Sequence, residues 1–254
     1  MAVLFPKKVP AFSRALGESD GILNSEPDIL IEAEVSVPFS TIWKCKINTF
    51  IIGIGSAQCD VLNANIDFSK GTKVKVVDIS ISNRVVMTCS AYVLDGGFLI
   101  WLCDTHERDT CYGFEKWVDN LFSSFSFDQN TCVYLLTDAP TSEYLSDHKP
   151  PAPFVRALKT PRTSASCCAD VKILEPPNIV AGFAAPIMTY CIHRSIPACI
   201  LITYYENMRA IPFKNDISSM MSPIFISIRD LQPFLLPEHV FNKMTIQNFD
   251  QMYI

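Results

Sequence analysis

Glycine is scarce in this sequence, which has 9 glycines in 254 residues, about half of the usual share. The sequence also lacks the Walker A, G-x-S-x-G and H-E-x-x-H patterns of phosphate-binding loops, serine hydrolases and zinc proteases. Basic side chains are few: 21 Lys and Arg stand against 26 Asp and Glu, for a formal net charge of -5. Because no basic cluster is available to neutralise phosphates, nucleic acid is not expected as a partner.

Hydrophobic runs stay short, although apolar residues make up 49% of the chain and the mean hydropathy is +0.21. The best candidate for a membrane span, residues 179–192, has 14 uncharged residues but contains Pro186 and is followed by His193. A span needs roughly 20 residues, so this stretch is interpreted as a buried helix. Near the start of the chain, Lys7 and Lys8 follow apolar residues instead of preceding them, unlike a secretory signal. We therefore expect the protein in the cytosol or the nucleus.

The ten cysteines contain no C-x-x-C pair. In a chain of this size without a secretory signal they are expected to be reduced and mostly buried in the core. Cys103, His106 and Cys111 form the nearest approach to a metal-ligand set. We do not favour this set, because structural zinc normally needs four converging ligands. No metal and no cofactor are expected.

Residues 1–44 differ in composition from the rest of the chain. No basic residue occurs between Arg14 and Lys44, whereas six acidic residues do. Pro27 and Pro38 interrupt any regular period in this region. We predict that residues 1–44 are a mobile acidic N-terminal arm.

Residues 45–248 show strand and helix patterns in alternation. Runs of β-branched, aromatic and aliphatic residues predict strands, and apolar residues three or four positions apart predict helices. Strands are predicted at 47–55, 73–81, 85–94, 98–103, 131–137 and 198–205, and helices at 109–125, 182–194, 217–231 and 237–248. The turn at 95–97 makes a hairpin of two of these strands. The predicted fold is α/β, a central mixed sheet flanked by helices on both faces.

Residues 138–170 interrupt this alternation with five prolines and many Ser and Thr residues. Such a composition cannot form a continuous helix. We predict a long Pro/Ser-rich surface loop within the α/β domain, anchored at one short piece, residues 154–158.

One short glycine-containing turn leaves an enzymatic alternative open. Gly53, Gly55 and Ser56 follow a predicted strand, where backbone N–H groups could bind a phosphate. The turn lacks the third glycine and the lysine that make such loops specific. The alternative function is therefore a small-molecule or nucleoside/phosphate-processing enzyme with its site at residues 53–56, and the simpler interpretation is a tight turn.

The last residues of the sequence, 249–254, form a short tail that ends in Met252, Tyr253 and Ile254. A hydrophobic side chain, a phenol and a terminal carboxylate together can enter a pocket of another protein. This pattern is common enough by chance that it needs independent support.

A family resemblance supplies that support. The segments are FIIGIG at 50–55, PFVRALKT at 153–160, Cys167-Cys168, LEPPNIV at 174–180, Tyr190-Cys191 and IPA at 196–198. In this order they resemble the proteasome assembly chaperone 1 family. The resemblance covers about residues 45–254, is strongest from 153 to 206, and is poor in the acidic arm.

The resemblance implies a non-catalytic α/β chaperone that forms a heterodimer with proteasome assembly chaperone 2. Such heterodimers bind the 20S proteasome α-ring, promote its assembly and prevent off-pathway α-ring dimers. The family inserts a C-terminal hydrophobic-Tyr-any tail into a pocket between α subunits, and Met252, Tyr253 and Ile254 stand at these positions. We therefore expect the partners to be chaperone 2 and proteasome α subunits.

Overall fold

The computed structural model describes residues 29–34, 46–81, 84–105, 118, 122, 127–146, 148–165, 167–206, 221, 225, 228 and 231–236. Eight strands, two helices and three short 3-10 turns are described from end to end within these ranges. The strands are β1 (Ile29–Glu34), β2 (Ile47–Ile54), β3 (Gly71–Ile81), β4 (Arg84–Leu94), β5 (Phe98–Thr105), β6 (Phe127–Pro140), β7 (Phe154–Lys159) and β8 (Ala198–Tyr205). The helices are α1 (Ser56–Asn65) and α2 (Ala184–His193), and the 3-10 turns are Phe68–Lys70, Thr141–Glu143 and Gln232–Phe234.

All eight strands form one sheet in the order β1-β3-β4-β5-β2-β6-β8-β7. The four strands β5, β2, β6 and β8 run parallel to one another. The remaining neighbours pair antiparallel, so that β1, β3 and β4 extend one side and β7 closes the other. The predicted mixed sheet and the predicted β4–β5 hairpin are confirmed.

Apolar side chains cover both faces of the sheet, as expected for central parallel strands. On β2, Phe50 and Ile52 belong to the core cluster that includes α2, here called the α2 face. Ile51 belongs to the second cluster, which includes Leu62 of α1 and is here called the α1 face. Because successive strand residues point to opposite faces, one apolar run supplies both cores. The predicted helices on both faces are confirmed.

Helix α1, like strand β1, is an element that the sequence pattern did not indicate. Its residues SAQCDVLNAN mix polar and apolar side chains, and both Gln58 and Asn65 are buried. The Asn65 side chain donates a hydrogen bond to the Val61 carbonyl oxygen at 2.7 Å. A helix that buries polar side chains has a weak amphipathic pattern, so hydrophobic periodicity alone does not find it.

Several predicted segments extend outside the described residues. Within the predicted acidic arm, Ile29–Glu34 forms the edge strand β1, and the rest of the arm lies outside the described ranges. In the predicted helices 109–125 and 217–231, the described residues Val118, Phe122, Met221 and Phe225 are helical and buried. The predicted helix 237–248 is not among the described residues.

The predicted loop at 138–170 is divided by a strand. Its anchored piece is β7, a full strand that pairs with β8 from Phe154 to Lys159. Ala157 also donates its N–H to the Lys172 carbonyl oxygen at 2.9 Å on the outer side of β7. Strand β7 is therefore part of the sheet and not merely a loop attached to it.

No helix of the described residues is long and apolar enough to cross a membrane.

The hairpin turn between β4 and β5 is fixed to the start of β2. The Gly97 carbonyl oxygen accepts hydrogen bonds from the N–H groups of Asn48 at 2.8 Å and Thr49 at 3.2 Å. Gly97 has a φ of +81°, and a Cβ atom there would lie 2.5 Å from the Lys46 carbonyl oxygen.

We expect Gly97→Ala to lower the free energy of unfolding by about 2–4 kcal/mol. Alanine is strained in the left-handed conformation, and its Cβ would also clash with the Lys46 carbonyl oxygen. The matched control is Gly182→Ala, where φ is +66° but no atom lies within 4 Å of the new Cβ. It should cost only about 1–2 kcal/mol. Urea denaturation of the three proteins measures the difference, and equal losses in both variants would contradict the contact with Lys46.

Candidate functional site

The predicted partner-binding residues Met252, Tyr253 and Ile254 lie outside the described residues.

The disfavoured metal set is described at one of its three positions. His106 and Cys111 lie outside the described residues. Cys103, its third member, is fully buried in β5 opposite Cys89 of β4. Burial raises the pKa of the Cys103 thiol, so it is a neutral core residue.

The turn at residues 53–56 connects β2 to α1. Gly55 has a φ of 94° and donates its N–H to the Cys103 carbonyl oxygen at 2.9 Å. Its own carbonyl oxygen accepts the N–H of Cys59 at 3.0 Å. A Cβ on Gly53 would lie 2.6 Å from Leu62 Cδ1, so α1 packs directly on this glycine. The backbone of this turn is therefore occupied by contacts that hold α1 against β2 and β5.

The side chains beside this turn are Ser56, Gln58 and Cys59, and the carboxylates of Asp60, Asp104 and Asp138 lie close enough to act on the Cys59 thiol. Ser56 is exposed, and Cys59 donates its thiol to the Gly53 carbonyl oxygen at 3.8 Å. Burial raises the pKa of Cys59, and a protonated thiol is a poor nucleophile. Gln58 is fully buried, and its side-chain amide has no hydrogen-bond partner in the described part of the chain. A polar ligand could satisfy such an amide.

Two of the motifs that carried the family resemblance meet in the structure. Arg156 comes from PFVRALKT, and Glu175 from LEPPNIV. Arg156 Nε lies 3.5 Å from Glu175 Oε2 and donates a hydrogen bond to the Tyr144 hydroxyl at 3.1 Å. The Tyr144 hydroxyl in turn donates to Glu175 Oε1. Sequence reasoning did not find this triad, because its members come from three separate segments.

Aromatic rings surround the Arg156 guanidinium. Its Cζ lies 4.7 Å from the centroid of the Phe154 ring and 5.3 Å from that of Tyr144. Phe154 stacks on Tyr204 of β8 with ring centroids 5.1 Å apart. Arg156 is 6% exposed, so its charge is compensated by the carboxylate and by the ring faces.

The pKa values of this group follow from the same contacts. Burial raises the pKa of Tyr144, and the hydrogen bond to Glu175 adds to the increase. For Glu175, burial opposes the charged form, but the hydrogen bond from Tyr144 and the nearby Arg156 outweigh it and lower the pKa. Glu175 is therefore held as a carboxylate.

Asn178 joins two surface segments beside this triad. Its Oδ1 accepts the N–H of Leu145 at 2.7 Å, and its Nδ2 donates to the carbonyl oxygens of Leu145 at 2.9 Å and Glu175 at 2.8 Å. Leu145 and Ile179, one on each joined segment, are 52% and 53% exposed. Asn178 thus links the segment that carries Leu145 to the segment that carries Ile179, and both apolar side chains are exposed.

Comparison with known proteins identifies the family of this chain. The family model PAC1, described as Proteasome assembly chaperone 4, matches residues 26–212. The chain belongs to the proteasome assembly chaperone family.

Human proteasome assembly chaperone 1 is 26% identical over 196 residues, which cover 70% of this chain and 66% of the human protein. Proteasome assembly chaperone 1 of Nematostella vectensis is 35% identical over 95 residues, 36% of each chain. The match spans just under two thirds of the human relative, and the resemblance to chaperone 1 is confirmed.

Solved structures related to this family share the fold. Pyrococcus furiosus PbaA, an archaeal homologue of proteasome-assembly chaperone, superposes with a TM-score of 0.55 at 11% identity, over 87% of this chain and 90% of PbaA. Pyrococcus furiosus PbaB, an archaeal proteasome activator, superposes with a TM-score of 0.54 at 10% identity, over 90% of this chain and 98% of PbaB. At these identities the similarity establishes the α/β fold.

We expect Arg156→Met to lower the free energy of unfolding by about 1–3 kcal/mol, because it removes a hydrogen bond and an ion pair from a buried site. The control is Arg162→Met, since Arg162 is exposed and its loss should change stability by less than about 0.5 kcal/mol. Thermal and urea denaturation measure both effects.

The contribution of this triad to the free energy of unfolding depends on pH through Glu175. Because its folded pKa is lowered, the carboxylate stabilises the fold above its unfolded pKa, and this contribution disappears as the pH falls through the folded pKa. The free energy of unfolding of the wild type should therefore exceed that of Glu175→Gln at neutral pH, and this difference should shrink in acid. A gap that stays constant down to acid pH would contradict the triad.

Proposed function

We propose that this protein is a proteasome assembly chaperone that forms a heterodimer with proteasome assembly chaperone 2. The heterodimer binds the 20S proteasome α-ring, promotes its assembly and prevents off-pathway α-ring dimers. The observation that carries the proposal is the family match across residues 26–212. The relatives' names support the proteasome as the target, since those named above are proteasome assembly chaperones. The proposed location is the cytosol or the nucleus.

The tail is proposed as the contact with the α-ring. Met252 supplies apolar area, and the Tyr253 ring supplies both apolar area and a hydrogen-bonding hydroxyl, with Ile254 beside it. Residues of this kind in one short segment fit a pocket between two neighbouring subunits. The support for this part is the resemblance of the three residues to the family's hydrophobic-Tyr-any motif.

The folded domain is proposed to bind the partner chaperone through the surface of Leu145 and Ile179. Both side chains are half exposed, and the Asn178 side chain is hydrogen-bonded to both backbone groups of Leu145. A preformed apolar surface loses little conformational entropy on binding. Pairing through the domain leaves the tail free to reach the ring.

The enzymatic alternative at residues 53–56 retains one favourable observation, the buried and unpartnered amide of Gln58. Three observations argue against it: the Gly55 N–H is bonded to β5, the Cys59 thiol is protonated, and Ser56 is exposed. A non-catalytic chaperone is therefore the better conclusion.

Tyr253→Ala should weaken binding to the α-ring by about 5- to 150-fold. Loss of an aromatic anchor and its hydrogen bond from a pocket costs on the order of 1–3 kcal/mol. Tagged full-length chain is expressed in cells, and the copurified α subunits and partner chaperone are quantified by mass spectrometry. The amount of partner chaperone should stay the same, because the domain is intact.

The matched control for this experiment is Gln251→Ala, a neighbouring tail position outside the motif. It should retain α subunits at the wild-type level. If Tyr253→Ala also retains them in full, the tail motif is not the contact. If no α subunits copurify with the wild-type chain, the proposed function itself fails.

The double variant Leu145→Ser, Ile179→Ser should reduce the copurified partner chaperone by at least tenfold. Two large apolar side chains in an interface contribute about 1–2 kcal/mol each through burial. The control is Val85→Ser, which replaces an exposed apolar residue of β4 and should have no effect. Circular dichroism checks that the double variant is folded, and unchanged pairing in a folded variant would place the interface elsewhere.

A further inference from the structure

Four cysteine side chains meet on the α1 face, near the start of β8. Cys199 lies on β8 next to β6, where its register partner is Tyr134, and Cys132 lies two residues before Tyr134. Cys167 and Cys168 come from the segment after β7. The Sγ atoms of Cys167, Cys168 and Cys199 all lie within 4.8 Å of one another. We call Cys132, Cys167, Cys168 and Cys199 the thiol cluster.

The segment that carries Cys167 and Cys168 is fixed to the sheet before it reaches the cluster. The N–H of Ala198 donates to both Thr160 Oγ1 and Thr163 Oγ1 at 3.0 Å. Thr163 Oγ1 donates to the Ala198 carbonyl oxygen at 2.7 Å, and the two threonine hydroxyls lie 2.9 Å apart. The cluster is therefore preorganised, since hydroxyl groups hold the segment against the residue that precedes Cys199.

The backbone at Cys168 has an unusual conformation. Its φ is +47°, in the left-handed region that non-glycine residues rarely adopt. Adjacent side chains in an extended chain point in opposite directions, whereas here both thiols reach Cys199. A conformation that costs on the order of 1–2 kcal/mol thus brings two neighbouring sulfur atoms to one place.

Hydrogen bonds within the cluster converge on Cys167. Cys132, Cys168 and Cys199 each lie within hydrogen-bonding distance of Cys167. Lys159 lies opposite Cys199 in the β7–β8 pairing. The sulfur atoms are therefore in mutual contact before any cation binds.

We propose that the thiol cluster is a binding site for a thiophilic cation, Zn²⁺ or Cu⁺, with Cys167, Cys168 and Cys199 as ligands and Cys132 as the fourth thiol. Thiolates bound to zinc at about 2.3 Å lie about 4 Å apart, and the Sγ atoms of Cys167, Cys168 and Cys199 lie within 4.8 Å of one another. Both cations prefer sulfur ligands. Cys168 and Cys199 are buried, while Cys132 and Cys167 are partly exposed and give the cation a route from solvent.

The test uses the full-length chain, stripped with a chelator and kept reduced. It is titrated with Zn²⁺ against a chromophoric zinc chelator and, in a separate arm, with Cu⁺ against a copper(I) chelator. We expect one equivalent of one of the two cations to bind, and the preferred cation to raise the melting temperature. Co²⁺ substitution should give a thiolate-to-cobalt charge-transfer absorption.

Cys167→Ser and Cys199→Ser should each weaken binding by on the order of 100-fold or more, since deletion of a ligand should cost at least as much as mutation of an outer-shell partner. The control is Cys191→Ser, which removes a buried thiol of α2 on the opposite face. It should leave cation affinity unchanged. Because Cys199→Ser alters the core, Cys167→Ser at a partly exposed position keeps the test valid if the other variant does not fold.

Alkylation of the wild-type protein gives a second readout. The bound cation should protect Cys167 from alkylation, and its removal should restore the reaction. The proposal is overturned if neither cation binds at one equivalent, if Cys167→Ser binds as tightly as wild type, or if alkylation is the same with and without the cation. A disulfide within the cluster of the purified protein, together with the absence of bound metal, would also overturn it.

Discussion

The central position of β2 is the constraint on which the rest of the structure depends. This strand is hydrogen-bonded to β5 on one edge and to β6 on the other, and its residues from Phe50 to Ile54 are buried. Burial of each large apolar side chain contributes about 1.5–3 kcal/mol. Helix α1 lies directly on Gly53, and the Phe50 ring contacts Phe122 and Phe127 on the opposite face. A change in β2 would therefore affect both cores.

The elements that could be predicted from sequence are those with a simple hydrophobic pattern. Strands β2 and β8 are continuous apolar runs, and α2 has an apolar stretch of helical length. Helix α1 was missed, since Gln58 and Asn65 replace apolar residues at buried positions. Strand β7 was recognised only as an anchored piece, because the prolines around it are typical of a loop. Its pairing with β8 is long-range information that local pattern does not contain.

The same distinction holds for the sites. The resemblance identified PFVRALKT and LEPPNIV, yet only the fold brings Arg156 to Glu175 and places Tyr144 against both. The thiol cluster could not be found from cysteine spacing, because its members come from β6, from β8 and from the segment after β7. Cysteine motifs are detectable when the ligands lie a few residues apart. Here the sheet, and not the spacing, brings them together.

The segment from Thr160 to Asn178 connects the two features that the sequence did not reveal. It is fixed at Thr160 and Thr163 against Ala198, then carries Cys167 and Cys168. Farther along, Lys172 and Leu174 bond to both backbone groups of Ala157 on the outer side of β7. This contact also covers part of an edge strand that would otherwise be open to pairing with another chain.

The segment reaches Glu175 and Asn178 only three to six residues after Lys172, at the surface that carries Leu145 and Ile179. A restraint at the thiol cluster therefore acts on the same covalent segment as the proposed partner surface. Because the segment is bonded to β7 at Lys172 and Leu174, the two sites are separated by a contact with the sheet. The thiol cluster is held by Thr160 and Thr163 against Ala198, and the apolar surface by Asn178 against Leu145. Each site is therefore ordered by its own hydrogen bonds to the folded domain.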